Sequence, residues 1–155
     1  MSLVQWLLTL HITAAFFYVG AAVAALILNT LAVLAPRPSE AAYFLKLIRT
    51  VLPVMFLGVA GTLAFGIWLW HERGYSIGAG WIWASLALWV VAAALGGAGG
   101  RRQEHAREVA ERLASAGDTS NDELKAILRD PRGQAMSLLA GVALLAILVL
   151  MVWKP

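Results

Sequence analysis

Four stretches of this 155-residue chain, 4–35, 51–70, 80–95 and 134–153, contain no Asp, Glu, Lys or Arg. Crossing a hydrocarbon layer about 30 Å thick takes roughly 20 mainly apolar residues as helix, since in lipid the backbone must satisfy its own hydrogen bonds. The pattern therefore predicts an all-α membrane protein, a four-transmembrane-helix bundle. With their flanks the spans are expected at 4–35, 39–71, 79–100 and 134–153, and a cytoplasmic helical segment at 101–133 joins the third to the fourth. Hydrophobic residues make up 61% of the chain and charged ones 14%, and they fall in blocks rather than alternating as in a soluble domain. One membrane domain, 1–155, accounts for the whole chain. The first stretch runs far past the short apolar core of a signal peptide and has no basic residue before it, so it reads as a retained helix. With no cysteine, disulfides, thiolate metal sites and thiol catalysis are excluded.

Four spans put both termini on one side and the segments 36–50 and 101–133 on the other. Of the 12 Lys and Arg residues only Arg73 and Lys154 fall on the terminal side, which leaves ten on the linker side. Basic residues concentrate in cytoplasmic loops, so the expected location is the inner (plasma) membrane, multi-pass, with both termini outside. Six of the seven tryptophans, Trp6, Trp68, Trp70, Trp81, Trp83 and Trp153, fall at the terminal-side helix ends, where amphipathic rings prefer the headgroup level. The same arrangement explains the basic pI near 9.7 without nucleic acid. The expected partner is the lipid bilayer, with a homodimer or a larger membrane complex as further possibilities.

Along the chain, Pro36-Arg37-Pro38-Ser39 separates the first two helices, with Ser39 as N-cap of the second and Pro53 kinking it further on. Small residues recur through the second and third helices, among them Gly58, Gly61 and Gly66, and let helix backbones approach closely. The run Gly96 to Gly100 before Arg101 and Arg102 lacks the G-x-x-x-x-G-K-[ST] spacing of a phosphate loop. Arg101 and Arg102 are instead expected to bind the phosphate of lipid headgroups. Beyond them Arg107 with Glu111, and Glu108 with Arg112, stand at helical i,i+4 spacing. Gly117 to Asn121 reads as a helix stop and a new N-cap, and Asp130-Pro131-Arg132-Gly133 ends the short helix that follows.

The residue that carries most about chemistry is His11, inside the first span. Charging a side chain at membrane depth costs roughly 2.5 kcal/mol or more unless it is paired, ligated or open to a cavity, so such a residue marks a functional site. Five residues inside Trp6, it lies about 7 to 8 Å below the tryptophan belt at ~1.5 Å per residue. Thr62 and Phe65 on the second helix, Ser85, Leu88 and Trp89 on the third, and Leu148 and Met151 on the fourth share that depth. Ala14, Ala15, Tyr18, Ala22, Ala25 and Asn29 continue its face, and the alanines leave room for a flat cofactor. Three readings of His11 stand side by side: a hydrogen bond to a threonine or serine that locks packing, ligation of haem iron, and proton relay or copper binding. The cofactor-binding set is His11, Ala14, Ala15, Tyr18, Thr62, Ser85 and Trp89, and the metal candidates are His11 and Met151. His71 reads as an interfacial flank and His105 as solvent-exposed.

Leu10-His11-Ile12 followed by aromatics and Gly20, Arg49 to Pro53 followed by Gly58 to Trp70, a third helix ending in glycines and a terminal Val152-Trp153-Lys154-Pro155 resemble the CopD-like membrane proteins. That group includes the copper-resistance protein CopD and the HemJ-type protoporphyrinogen oxidases. Nearest in pattern is the uncharacterised integral-membrane family numbered 2269. The resemblance implies a four-helix bundle in which His11 corresponds to the histidine implicated in haem b ligation. It departs from the HemJ pattern in the third helix, where 81–100 carries no His, Lys or Arg, so protoporphyrinogen oxidation is not implied and the chain is at most a redox protein. The expected function is haem b (porphyrin) binding in electron transfer or haem handling. The alternatives are a cofactor-free scaffold or assembly subunit of a membrane complex and, third, copper transport.

Overall fold

The computed structural model describes residues 2–76, 78–119 and 122–153. Helices α1 (Leu3–Leu34), α2 (Pro38–Arg73), α3 (Gly80–Ser115), α4 (Asp122–Leu128) and α5 (Pro131–Trp153) follow in order, with no strand among the described residues. Four helical stretches are long and apolar enough to cross a membrane: Leu3–Leu34, Pro38–Arg73, Gly80–Ser115 and, counted through α4 and α5, Asp122–Trp153. Phe16 and Leu57 are each 75% exposed, as lipid-facing side chains would be.

Several helix ends have a local cause. Ser2 and Gln5 close α1 with a reciprocal capping box, Ser2 Oγ accepting from the Gln5 N–H and Gln5 Oε1 from the Ser2 N–H. Ser39, expected as the N-cap of α2, is not one. Proline suits the first helical position because its fixed φ and missing N–H cost nothing there, so α2 begins at Pro38. Ser39 falls inside the first turn, and its N–H and Oγ donate to Asp118 Oδ1 and Oδ2 at 2.8 and 2.7 Å. α2 then continues through Pro53.

The glycine run does not end α3. At 36 residues and ~1.5 Å per residue the helix is far longer than the hydrocarbon is thick, and its second half carries the charges expected of the linker. Each glycine costs about 1 kcal/mol against alanine, but an apolar medium offers the freed backbone no other partner. The stop comes where expected: Gly117 and Asp118 have positive φ, 125° and 55°, and the Asp118 N–H reaches back to the Leu113 carbonyl at 3.1 Å. The expected cap at Ser120 and Asn121 lies outside the described residues. Asp130 and Pro131 also start α5, Asp130 Oδ1 accepting from the Arg132 N–H at 3.2 Å, so α5 opens three residues before the expected 134. Arg107 pairs with Glu111, as the spacing predicts, and with Glu104. Arg112 does not pair with Glu108; it reaches Glu123 on α4 at 3.0 Å.

Two compact units result. One comprises Met1–Ala35 and Tyr43–Ser76; the other Pro36–Ala42 and Ile77–Pro155. In the first, α1 and α2 run antiparallel, and a Cβ at Gly58 would lie 2.7 Å from the Tyr18 nitrogen and 2.9 Å from the Ala14 oxygen, so the backbones themselves touch. In the second, α3 packs along α5 with α4 against it, and Ala106, Val109, Ala110 and Leu124 are buried there.

Candidate functional site

His11 lies on α1 and is half-buried. Its Nδ1 meets the main-chain oxygen of Thr62 on α2 at 2.9 Å. A carbonyl oxygen can only accept, so Nδ1 carries the proton and Nε2 presents its lone pair. The threonine hydroxyl is engaged elsewhere, donating to the Gly58 carbonyl of its own helix at 2.7 Å. The polar partner expected at this depth is therefore Thr62, through its backbone.

The ring fits because Gly66 has no side chain. A Cβ there would lie 3.0 Å from His11 Cε1 and 3.1 Å from Nδ1. One and two turns on, Gly61 and Gly58 receive Ala14 and Tyr18: a Cβ at Gly61 would stand 2.9 Å from the Ala14 Cβ. The face of α1 that the sequence marked as small and polar is thus the face against α2, and three glycines on α2 fix how near it comes; the room expected beside Ala14 and Tyr18 for a flat cofactor is taken by α2 itself. The hydroxyl of Thr9, one turn before Thr13, is turned back onto its own helix at Gln5.

Nε2 has no hydrogen-bond partner among the described residues. It is also not sealed off, since no buried side-chain nitrogen or oxygen among those residues lacks a partner. One nitrogen thus anchors the ring and the other is open. Histidines that ligate metals are held in this way, the second ring nitrogen bonded to a carbonyl or carboxylate that fixes the tautomer.

Of the expected set, His11, Ala14, Tyr18 and Thr62 come together in the α1–α2 unit. Ala15 is half-buried beside them on α1. Ser85, Trp89 and Met151 belong to the other unit: Ser85 is buried and donates to the Trp81 carbonyl at 2.8 Å, while Trp89 on α3 and Met151 on α5 are half-buried. No group of three or more His, Cys, Asp or Glu able to hold a metal ion occurs among the described residues. His71 is exposed, as expected of an interfacial flank. Arg102 pairs with Asp130, and its guanidinium lies over Gly133, where a Cβ would be 3.2 Å from Cζ.

A family model described as predicted integral membrane protein (DUF2269) matches residues 5–155. The chain belongs to that family. The match takes in every helix but the first residues of α1, and with it both units, so the α1–α2 site is part of the family's shared region. No curated protein and no solved structure matches the chain. What the family has in common by description is integral membrane character, in agreement with four helices able to span.

Proposed function

We propose that this member of the family holds haem b, or a related porphyrin, through His11 Nε2 and serves in electron transfer or haem handling. The observation that carries the reading is the state of the imidazole: Nδ1 is committed to the Thr62 carbonyl and Nε2 is open and unpaired among the described residues. A bare lone pair in hydrocarbon is unfavourable, and haem iron takes a neutral imidazole nitrogen of this kind. The resemblance of the first-helix pattern around His11 to that of the HemJ group supports the same assignment. When bound, such a group supplies a one-electron change at its iron. The chain's own part is to orient the ring through Thr62, to admit it beside Gly66, and to bring the ligand to its depth in the bilayer. Any further ligand to the group would come from a weak donor or from a second subunit.

The bundle, the cytoplasmic placement of the charged segment and the outer placement of both termini belong to this reading and rest on the distribution of Lys, Arg and Trp. An absorption spectrum of protein purified from haem-replete cells tests the cofactor. A Soret band is expected, lost in His11→Ala and kept in His71→Ala. Wild-type protein with no Soret band, or an unchanged band in His11→Ala, sinks the haem assignment. The Nδ1 bond would then be a packing staple between α1 and α2, which favours the scaffold reading.

A further inference from the structure

Where α3 passes from apolar to charged, it borders an open groove of about 520 Å³ lined by Arg101, Arg102, His105, Ala126, Ile127 and Asp130. The cations in it are not equivalent. Arg102 is neutralised by Asp130, and Gly133 lets its guanidinium lie flat on the start of α5. Arg101 and His105, one helical turn apart and both exposed, have no hydrogen-bond or ion-pair partner among the described residues. The groove thus offers one uncommitted guanidinium and one imidazole on one wall, and an apolar floor from α4.

Arg101 is the first charged residue of α3, so on the hydropathy of the helix the groove opens at the edge of the hydrocarbon. Immediately toward the apolar side, Gly96, Gly97, Gly99 and Gly100 have no atom within 4 Å of where a Cβ would stand. That part of the helix is a smooth track with space beside it. An ion alone would have no use for the track or for Ala126 and Ile127; a molecule with a charged head and an apolar tail uses both.

We propose that this groove is a binding site for an anionic phospholipid, its phosphate against Arg101 and His105 and its acyl chain along the glycine run. Arg102 is held back by Asp130 and sets the wall rather than the charge. The site recognises the excess negative charge of the headgroup, so phosphatidylglycerol is preferred over phosphatidylcholine.

Native mass spectrometry of the full chain in detergent, titrated with each of these two lipids and separately with inorganic phosphate, tests the proposal. Retention of phosphatidylglycerol should fall about fivefold for Arg101→Gln, and should fall for His105→Gln, which removes the imidazole facing the phosphate. Lys46→Gln, which removes an equal charge from an exposed position outside the groove lining, should leave retention unchanged. Asp130→Asn keeps an oxygen to cap α5 but frees Arg102, and should raise retention at wild-type helical content. An unchanged lipid preference in the Arg101→Gln, His105→Gln double variant with wild-type helical content overturns the site. Displacement of the lipid by millimolar inorganic phosphate overturns the lipid assignment in favour of a free anion.

Discussion

Gly66 is the residue on which the imidazole depends most directly. Its missing Cβ is worth 3.0 to 3.1 Å of clearance to two ring atoms of His11, a spacing that a methyl group would force to change. Gly66→Ala is therefore expected to move the ring off the Thr62 carbonyl, and with it the direction of Nε2. On the haem reading the Soret band should weaken or shift, whereas Gly20→Ala, with nothing within 4 Å, should leave the spectrum as it is. A Gly66→Ala spectrum identical to the wild type's would show that the ring's placement does not govern binding. The sequence made His11 conspicuous because an ionisable ring inside an apolar run is costly. It placed Thr62 at the same depth but could not show that the bond goes to its main-chain oxygen, an atom every residue has. Nor could it separate Gly66 from the other small residues, since their spacing is alike and only the crossing of α1 and α2 decides which one faces the ring.

At the scale of elements, the apolar stretches were legible and their boundaries were not. Charge-free runs mark where lipid is, while helices end where a cap or a turn is supplied, and those signals lie outside the runs. The sequence placed Ser39 as a cap because serine commonly accepts from the helix it precedes; here it donates to Asp118, and a carboxylate from the turn after α3 performs the capping. Hydrogen bonds from the Ser39 hydroxyl and N–H hold the Asp118 carboxyl below its ordinary value, outweighing the opposing effect of burial, and the charge of Arg37 adds a smaller contribution. A carboxyl with a depressed folded value stabilises fully above its unfolded titration and loses that contribution as pH falls through the folded one. The difference in thermal midpoint between wild type and Asp118→Asn should thus be largest near neutrality and shrink toward strongly acid pH. Asparagine tolerates the same left-handed backbone, so strain at φ 55° does not confuse the comparison. A difference that stays constant with pH would mean the charged state of Asp118 is not what holds Ser39. Gly58 poses a harsher test of the α1–α2 pair. A Cβ there meets backbone at 2.7 to 2.9 Å rather than the end of a side chain, and Gly58→Ala should destabilise the protein by about 1–3 kcal/mol. Unfolding in mixed detergent would read this directly, with Gly141→Ala, which meets nothing within 4 Å, as the neutral counterpart.

For the whole molecule, what matters is which side of the bilayer each feature faces, and the charge distribution decides the expectation. The second half of α3, α4, the turn after it and the start of α5 carry Arg101, Arg102, Arg107, Arg112, Lys125, Arg129 and Arg132, while Trp6 lies near the start of α1, Trp68 and Trp70 near the end of α2, Trp81 and Trp83 at the start of α3 and Trp153 at the end of α5. Basic segments resist translocation, so the charged end is expected in the cytoplasm and His11, nearer the tryptophan end, in the outer half of the bilayer. That geometry bears on the haem reading, since a group held there would exchange electrons with a partner on the outer face more readily than with one inside. The chain contains no cysteine, so single cysteines report without background. Ser76, in the turn between α2 and α3, and Ser115, at the end of α3, are both exposed. An impermeant thiol reagent applied to intact cells should label Ser76→Cys and spare Ser115→Cys until the membrane is opened. The reverse pattern would place the charged segment outside, turn His11 toward the cytoplasmic half and require any redox partner to be sought on the inner face.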